Sequence, residues 1–409
     1  MHKIVLTGVG VLSPIGFGKT AYWAGLREGK TGFNAISLFD TSKFKVNLAG
    51  EVIDFDPLLT LGKKGLRDLD RTTQLVCAAS DLAISDSRLK VTDENTRAIG
   101  VSIGTTFGSL HSISQFDRAG ILEGPRSVNP SHFPNTVINS PASRISIRFK
   151  IKGFNTTIST GFCAGLDAVA YASDFIKLRR ANVVLAGSVE ELCEETFLGF
   201  HKLGLLSGLD GSVPLCCPFD ARRNGIILSE GAAVLVLEDE EHAIARGALP
   251  YARIQGYGSV FDPAASCHSY SNMGLATAIM QAFNDAALTP KDIDYISACS
   301  NSTIDLDRME TVVIKELFGE HAFDVPISSI KSMIGESFSA SGSLSLAAAV
   351  GALQNDFIPP TMNYHDVDSN CNLDYVPNIA RKQKVHNVLV TSSDAYGHNS
   401  AVILSRFNG

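Results

Sequence analysis

The stretch of this 409-residue chain best suited to chemistry runs from Thr157 to Ala168. β-Branched residues lead into a bend at Gly161, after which apolar residues recur at helical spacing, so the pattern predicts a strand, a sharp elbow and a buried helix. The free N–H groups and the positive dipole end at the start of such a helix stabilise a thiolate or an oxyanion. The side chain at the elbow therefore decides the chemistry, and Cys163 is the only cysteine in the stretch.

Composition and charge narrow the class of protein. The chain is 45% hydrophobic, which supports a sizeable core, and its formal net charge of -7 comes without long Lys or Arg runs. That balance argues against nucleic acid or an anionic membrane as the main partner. No apolar run approaches the roughly 20 residues that cross a bilayer, and the apolar N-terminus is predicted to be a core strand. The eight cysteines lack a Cys-x-x-Cys pair and are typical of reduced core cysteines, so we expect a cytoplasmic location.

Strands and helices alternate along the chain, which is the pattern of a layered α/β protein. An apolar strand over Glu230 to Glu238 and a short helix over Glu240 to Arg246 close a first half. A strand over Tyr251 to Tyr257 opens a second half, so we divide the chain into 1–248 and 249–409. A further helix is predicted over Asn135 to Phe149, directly before the elbow strand.

Several segments along the chain match one set of motifs. At the elbow, Ser159, Thr160, Gly165 and Ala168 match the pattern Ser-Thr-Ala-Cys-Ala-x-Gly-x-x-Ala. Other matches are 3–16, Pro218-Phe219-Asp220, Glu230-Gly231-Ala232, Lys331-Ser332-Met333-Ile334-Gly335, Ile358-Pro359-Pro360-Thr361 and 373–378. Together they resemble the β-ketoacyl-acyl-carrier-protein synthases, condensing enzymes of fatty acid and polyketide synthesis. The resemblance covers almost the whole chain and implies a thiolase-type α/β fold, in which two similar halves make a five-layered α/β/α/β/α body that dimerises.

The elbow departs from that family at its most important position. Aligned without gaps, the place of the family's nucleophilic cysteine falls on Phe162, and Cys163 comes one residue too late. A shift of Cys163 into the active position would require Phe162 to turn elsewhere. We therefore interpret Cys163 as a buried cysteine at the start of a helix.

Both histidines of the resembling enzymes are also replaced. The first belongs to an Ala-His-Gly-Thr-Ser-Thr motif, where this chain has Cys299, and the second follows Lys-Ser-x-x-Gly, where it has Glu336. A decarboxylating condensation needs a thiolate and donors that stabilise the developing negative charge, which a carboxylate would repel. Since the loss of one such donor costs on the order of 10² to 10³ in rate, we expect this chain to have little condensation activity.

Three further residues of the site are interpreted as structural. Lys331 and Glu310 remain, and we expect them to form a buried ion pair. The loop from Ser393 to Asn399 resembles the family's Gly-Phe-Gly-Gly-His-Asn gating loop, with Ala395 in place of the gating phenylalanine. His398 survives in this loop, where we expect it to pin the backbone.

A condensing-enzyme body without its reactive groups resembles the chain length factor, or ketosynthase β, of type II polyketide synthases. The resemblance implies a non-catalytic subunit that pairs with an active ketosynthase and shapes its acyl pocket, with no cofactor and no metal. The acyl carrier protein would deliver substrate mainly to the partner. The resemblance also implies that three residues face the end of that pocket. They lie on the helix after the Gly-x-x-x-Gly loop and are Leu110, Ile113 and Phe116.

Two other functions stay open. A divergent active synthase using Cys163 predicts condensation without a partner, and a ligand-binding or scaffolding relative predicts no synthase partner at all. The sequence leaves the product class, the chain length and the starter unit undetermined.

Overall fold

The computed structural model describes residues 3–264, 270 and 272–408. Its strands are β1 (Ile4–Ser13), β2 (Gly16–Phe17), β3 (Phe33–Ala35), β4 (Leu48–Gly50), β5 (Ile99–Gly104), β6 (Asn155–Ile158), β7 (Val183–Glu190), β8 (Gly231–Asp239), β9 (Ala252–Phe261), β10 (Tyr295–Ser297), β11 (Ile327–Ser328), β12 (Phe357–Ile358), β13 (Arg381–Lys382), β14 (Asn387–Ser393) and β15 (His398–Arg406). Its α-helices are α1 (Gly18–Glu28), α2 (Pro57–Leu61), α3 (Arg71–Ser87), α4 (Leu110–Leu122), α5 (Ser140–Phe149), α6 (Ala164–Lys177), α7 (Glu194–Lys202), α8 (Glu240–Ala245), α9 (Asn272–Ala286), α10 (Ile304–Phe318), α11 (Lys331–Ile334) and α12 (Ser339–Asn355). Short 3₁₀ segments are Leu66–Asp68, Pro130–Thr136, Gly161–Cys163, Pro290–Asp292 and Gly319–Phe323.

The main sheet contains the same five-strand arrangement twice. The order is β6-β5-β7-β8-β1 in the first half of the chain and β11-β10-β14-β15-β9 in the second. In each half the first three strands run parallel, and the remaining pairings are antiparallel. The halves join where Ile4 to Leu6 of β1 pair with Ala252 to Ile254 of β9. The chain therefore contains the two similar α/β halves that the sequence predicted, while the exact boundary at 248/249 stays a prediction.

Helices α6 and α12 form a middle layer, packed between β5, β7 and β8 on one side and β14 on the other. Small and apolar residues make up α12, which is buried from Ser339 to Leu353, as expected for a helix enclosed on all sides. Gly165 allows α6 to approach α12 closely, because a Cβ there would lie 2.3 Å from the Ser339 carbonyl oxygen. With α3 and α5 outside the first half and α9 and α10 outside the second, the body has the five predicted layers.

Local details differ from the sequence prediction in one helix. The helix predicted over Asn135 to Phe149 begins only at Ser140, and Pro130–Thr136 forms a 3₁₀ segment before it. Pro141 lies in the first turn of α5, where a missing N–H costs no hydrogen bond, whereas a helix that began at Asn135 would hold this proline in its interior.

The state of the cysteines and the length of the helices can be compared with the sequence prediction. The seven described cysteines are free and buried, as predicted, and Cys267 lies outside the described residues. Among residues 3–264, 270 and 272–408, no helix has both the length and the apolar character needed to cross a membrane.

Candidate functional site

The predicted elbow is present between β6 and α6. A 3₁₀ turn, Gly161–Cys163, links the strand to the helix and places Phe162 at the bend. Gly161 has a φ of 55°, and a Cβ there would lie 1.9 Å from Oδ2 of Asp394, so only glycine fits this close approach. The sequence thus predicted the local backbone correctly.

An aromatic cluster fills the space around the elbow. The ring of Phe162, which is only 8% exposed, lies 5.0 Å from that of Phe338. Phe338 also contacts Phe107 and Phe200, with ring centroids 5.0 Å apart in both cases. Aromatic packing of this kind adds to the stability gained by burial. The cluster therefore occupies the position where a reactive side chain would have to stand.

Asp394 accepts the hydrogen bond that the backbone N–H at the elbow donates. Its Oδ2 accepts a hydrogen bond of 3.1 Å from the backbone N–H of Phe162. Its Oδ1 accepts hydrogen bonds from the N–H groups of Tyr396 and His398 at 2.8 and 3.1 Å, and the residue is 1% exposed. A negatively charged group thus already lies where an active enzyme would stabilise an oxyanion.

Cys163 is fully buried, with 0% of its surface exposed. Burial raises the pKa of its thiol well above the usual value, and the nearby carboxylates of Asp167 and Asp394 raise it further. Because the thiolate is the nucleophile, this environment opposes catalysis. The local geometry supports interpreting Cys163 as a buried cysteine.

Cys299 and Glu310 form a structural unit. The backbone N–H of Cys299 donates to Oε1 of Glu310 at 3.0 Å, and the N–H and hydroxyl of Ser300 donate to Oε2 at 2.9 and 2.6 Å. Burial raises the pKa of the Cys299 thiol well above normal, and the carboxylate of Glu310 adds to that effect. Glu310 therefore holds the loop in place and suppresses the thiolate of Cys299.

Lys331 pairs with Glu336 and not with Glu310, so the expected ion pair had the wrong partner. The Nζ atom of Lys331 lies 2.7 Å from Oε2 of Glu336 and also donates to the carbonyl of Cys299 at 2.8 Å. Oε2 of Glu336 accepts in addition from Asn301 at 2.9 Å. The single-turn helix α11 explains the choice, because it brings Glu336 back toward Lys331 only five residues later.

Glu336 is committed to the backbone as well. Its Oε1 accepts hydrogen bonds of 3.0 Å from the N–H of Phe338 and from the hydroxyl of Ser341. Phe338 adopts φ 50° and ψ −119°, a conformation that non-glycine residues rarely adopt. The side chain at the place of the second histidine therefore supports the strained residue that positions the aromatic cluster.

His398 takes part in the late loop through its backbone. Its N–H donates to Asp394, while its ring lies edge-on to Phe261 with centroids 5.0 Å apart. Among the described residues its Nδ1 has no hydrogen-bond partner. The pinning of this loop thus comes from the Asp394 carboxylate, and an anchoring role for the imidazole stays a prediction.

A cavity of about 640 Å³ opens in front of the elbow. Phe162, Phe200, Ile226, Asn301, Ile304 and Tyr396 are among its lining residues, and we refer to it as the elbow cavity. Cys163 is not among the residues that line it. A space for a small molecule therefore remains, and its described lining residues include no cysteine and no histidine.

The three proposed pocket residues lie on α4, away from the elbow cavity. Leu110, Ile113 and Phe116 are all half-buried. Phe116 lines a separate cavity of about 440 Å³ between α4 and residues 127–135, and its ring packs against Phe133 with centroids 6.1 Å apart. The single chain does not bring these residues to the elbow, and their role in an acyl pocket stays a prediction.

Asp394 and Phe338 are the site residues that sequence reasoning missed. A signal for Asp394 was available, because an acidic residue stands where the gating motif begins with glycine. For Phe338 no motif marked its unusual backbone. Both matter because they contact Phe162 directly.

The layered halves and the elbow together define a body of the thiolase-type condensing enzymes. Two protein-family models match the chain. The family model described as "Beta-ketoacyl synthase, N-terminal domain" matches residues 1–243, and the one described as "Beta-ketoacyl synthase, C-terminal domain" matches residues 251–365. The chain belongs to the β-ketoacyl synthase family.

Similar proteins come from both fatty acid and polyketide synthesis. The 3-oxoacyl-[acyl-carrier-protein] synthase 2 of Coxiella burnetii is 35% identical over 99% of each chain. The tetracenomycin polyketide synthase ketoacyl synthase alpha subunit of Streptomyces glaucescens is 38% identical over 99% of this chain and 97% of its own. Among solved structures, the ishigamide ketosynthase/chain length factor superposes with a TM-score of 0.94 at 34% identity over 100% of both chains. A chain from the structure of a type II polyketide synthase acyl-carrier protein in complex with its ketosynthase superposes with a TM-score of 0.90 at 30% identity. The match covers 99% of this chain and 100% of that chain.

Proposed function

We propose that this chain is a non-catalytic chain length factor subunit that pairs with an active ketosynthase in type II polyketide or polyene biosynthesis. The observation that carries the proposal is the state of the elbow. Phe162 stands at the nucleophile's place, and the N–H that would stabilise an oxyanion donates to Asp394. Among the described residues at the elbow, no side chain is placed to form the covalent bond, and the backbone N–H of Phe162 is not free to stabilise the charge.

The alternative, an active synthase that uses Cys163, has less support. The thiol is 0% exposed, its pKa is raised by burial, and it does not line the elbow cavity. The two histidine positions hold Cys299 and Glu336, which are bonded into the surrounding structure. Cys163 therefore lacks both access and activation.

An exposed sheet edge supports a partner subunit. β6 ends the main sheet, and beyond it no strand of the described residues is paired. The flanking helices expose Ile147 on α5 and Leu178 just after α6, which are 70% and 66% exposed. An open edge beside apolar side chains is a surface that a second subunit can cover. A ketosynthase partner, acyl carrier protein contact mainly through that partner, and a cytoplasmic location are parts of the same proposal.

Intact-protein mass spectrometry tests the assignment. The purified chain, alone and with a ketosynthase from the same organism that carries the full Cys/His/His set, is incubated with acyl-loaded carrier protein. We expect an acyl adduct on the partner and none on this chain, because Cys163 is buried as a thiol. An adduct mapped to Cys163 would instead support the active synthase.

Trimming the helix α4 should change the products of the reconstituted pair. We expect Leu110→Ala with Ile113→Ala to lengthen the product by removing bulk from the end of the acyl pocket. Product mass from the reconstituted pair is the measurement. Arg118→Ala, an exposed position on the same helix, is the matched control and should leave the distribution unchanged. An unaltered distribution in the double variant would remove Leu110 and Ile113 from the pocket.

A further inference from the structure

A second cavity lies beside the join between β1 and β9. Its volume is about 430 Å³, which falls within the range of small-molecule sites. Its walls come from β1, α1, the end of α3, the turn after α8 and the residues just before β9. Of the described residues, none lines both this cavity and the elbow cavity. We call it the junction cavity.

The lining of the junction cavity carries more positive than negative charge. Lys19, Arg88 and Arg246 are part of the wall, and Asp86 is the only carboxylate among its described lining residues. The chain as a whole has a formal net charge of -7, so this concave, positively charged patch is a local exception. Such a patch attracts anions.

Lys19 is held in place with a donor to spare. Its Nζ donates to the carboxylate of Asp86 and to the hydroxyl of Tyr251. Asp86 is itself neutralised there, since its Oδ2 also accepts from the N–H of Val9 at 2.9 Å. Burial lowers the pKa of Lys19, but the interactions with Asp86 and Tyr251 outweigh burial, and the net direction is upward. Because an ammonium group has three N–H donors, one of them remains for a ligand.

Arg246 is fixed by its partners in the same way. Its Nε donates to Oε2 of Glu238 at 2.8 Å, and its Nη2 pairs with Oε1. Its Nη1 donates to the carbonyl of Ser87 at 2.9 Å, at the end of α3. The charge of Glu238 is thereby balanced, and the second N–H of Nη1 is left over.

Arg88 supplies the excess charge. It follows directly after α3 and is exposed. Within the part of the chain that the structure describes, its guanidinium has no hydrogen bond, ion pair or ring contact, although it lines the cavity. A guanidinium can donate two parallel N–H groups to one phosphate, which makes it a strong phosphate ligand.

We propose that the junction cavity binds a phosphate dianion, free or as the end of a phosphate monoester, between Lys19, Arg88 and Arg246. These donors come from three separate elements, so a tetrahedral group can meet all of them with different oxygens. A planar carboxylate offers two oxygens and one charge, and it would leave a donor unused. The proposal goes beyond the non-catalytic function, because it concerns a different cavity and a different class of ligand.

Calorimetry on the purified full-length chain tests the ligand class. The probes are inorganic phosphate, adenosine 5′-monophosphate, adenosine and acetate, at one ionic strength so that screening is equal. We expect phosphate or the monophosphate to bind with a Kd of about 1 mM or tighter, and at least about tenfold more tightly than acetate. A Kd weaker than that for both phosphates, or acetate binding as tightly as either, would overturn the proposal.

The same titrations distinguish the two sources of the phosphate group. Tighter binding of the monophosphate than of phosphate, with no binding of adenosine, would assign the site to a monoester. Equal binding of the two would assign it to free phosphate. Adenosine binding as tightly as the monophosphate would show that the phosphate group is not recognised, which contradicts the proposal.

A matched pair of variants locates the site. Arg88→Ala removes an exposed side chain without a partner, so it should fold, and we expect it to weaken phosphate binding at least about tenfold. Lys90→Ala removes an exposed cation two residues away that does not line the cavity, and it should bind as the parent does. Equal losses in both variants would indicate general charge attraction and contradict a built site.

Thermal unfolding gives a second readout that does not depend on heats of binding. A ligand that binds only the folded chain raises its Tm by mass action. Phosphate should therefore raise the Tm of the parent and of Lys90→Ala by the same amount, and that of Arg88→Ala by clearly less. A Tm that phosphate raises equally in all three proteins would mean that Arg88 takes no part in binding, and the proposed site would be wrong.

Discussion

Restoring the three reactive residues with Phe162→Cys, Cys299→His and Glu336→His should leave condensation undetected until Asp394→Gly is added. The triple variant regains a thiol and two imidazoles, but the N–H of residue 162 still donates to the Asp394 carboxylate. The oxyanion of the condensation would then meet a negative charge where it needs a donor. Asp394→Gly introduces the residue found in the gating motif and frees that N–H.

The size of the expected effect follows from the role of that donor. Removing one oxyanion-hole donor costs on the order of 10² to 10³ in rate, so the quadruple variant should exceed the triple variant by at least about 10². Product formation from acyl-loaded and malonyl-loaded carrier protein is the measurement. Acylation of the introduced thiol, followed by intact mass, reports the first step separately.

Two comparisons make this result interpretable. Asp394→Gly alone should stay inactive, because Phe162 still occupies the nucleophile's place. Since Glu336→His leaves Lys331 without its carboxylate, the triple and quadruple variants are compared after circular dichroism has shown that both are folded. A triple variant as fast as the quadruple variant would mean that Asp394 does not obstruct the elbow.

The sequence was sufficient for the fold and for the backbone of the elbow, because both follow from local patterns of residue type and spacing. Alternating strands and helices predicted two layered halves, and the repeated strand order has that form. The bend at Gly161 was recognisable because β-branched residues precede it and helical spacing follows. The assignment of Phe162, Cys299 and Glu336 to the family's three reactive positions comes from motif register and stays a prediction.

Contacts between distant segments were beyond that reasoning. The bond between Phe162 and Asp394 joins residues 232 positions apart, and no periodicity reports such a pairing. The partner of Lys331 was wrongly predicted because Glu310 is retained from the family whereas Glu336 replaces one of its histidines, and only the geometry of α11 decides between the two carboxylates. The helix expected after the Gly-x-x-x-Gly loop is present as α4, but the cavity that Phe116 lines was not predicted.

Breaking the buried pair between Lys331 and Glu336 should produce the largest loss of stability from a single substitution at the site. The side chains are 5% and 1% exposed, and their charged atoms lie 2.7 Å apart. Burial by itself lowers the pKa of Lys331, but the interactions with Glu336, Cys299 and Glu310 together outweigh burial, and the net direction is upward. Lys331→Met would therefore leave a buried carboxylate without its cation, which typically costs about 3–5 kcal/mol in the free energy of unfolding.

Urea denaturation of the matched variants separates charge imbalance from loss of packing. Lys331→Met combined with Glu336→Gln removes both charges, so it should recover about 2 kcal/mol or more of the loss seen in Lys331→Met. Lys177→Met breaks a pair with Asp285 at 3.0 Å whose side chains are 24% and 28% exposed, and it should cost less than about 1 kcal/mol. If Lys331→Met and Lys177→Met cost the same, the pair with Glu336 would contribute no more than a surface contact. If the double variant recovered nothing, the loss would come from packing around Lys331, since an uncompensated charge is absent from that variant.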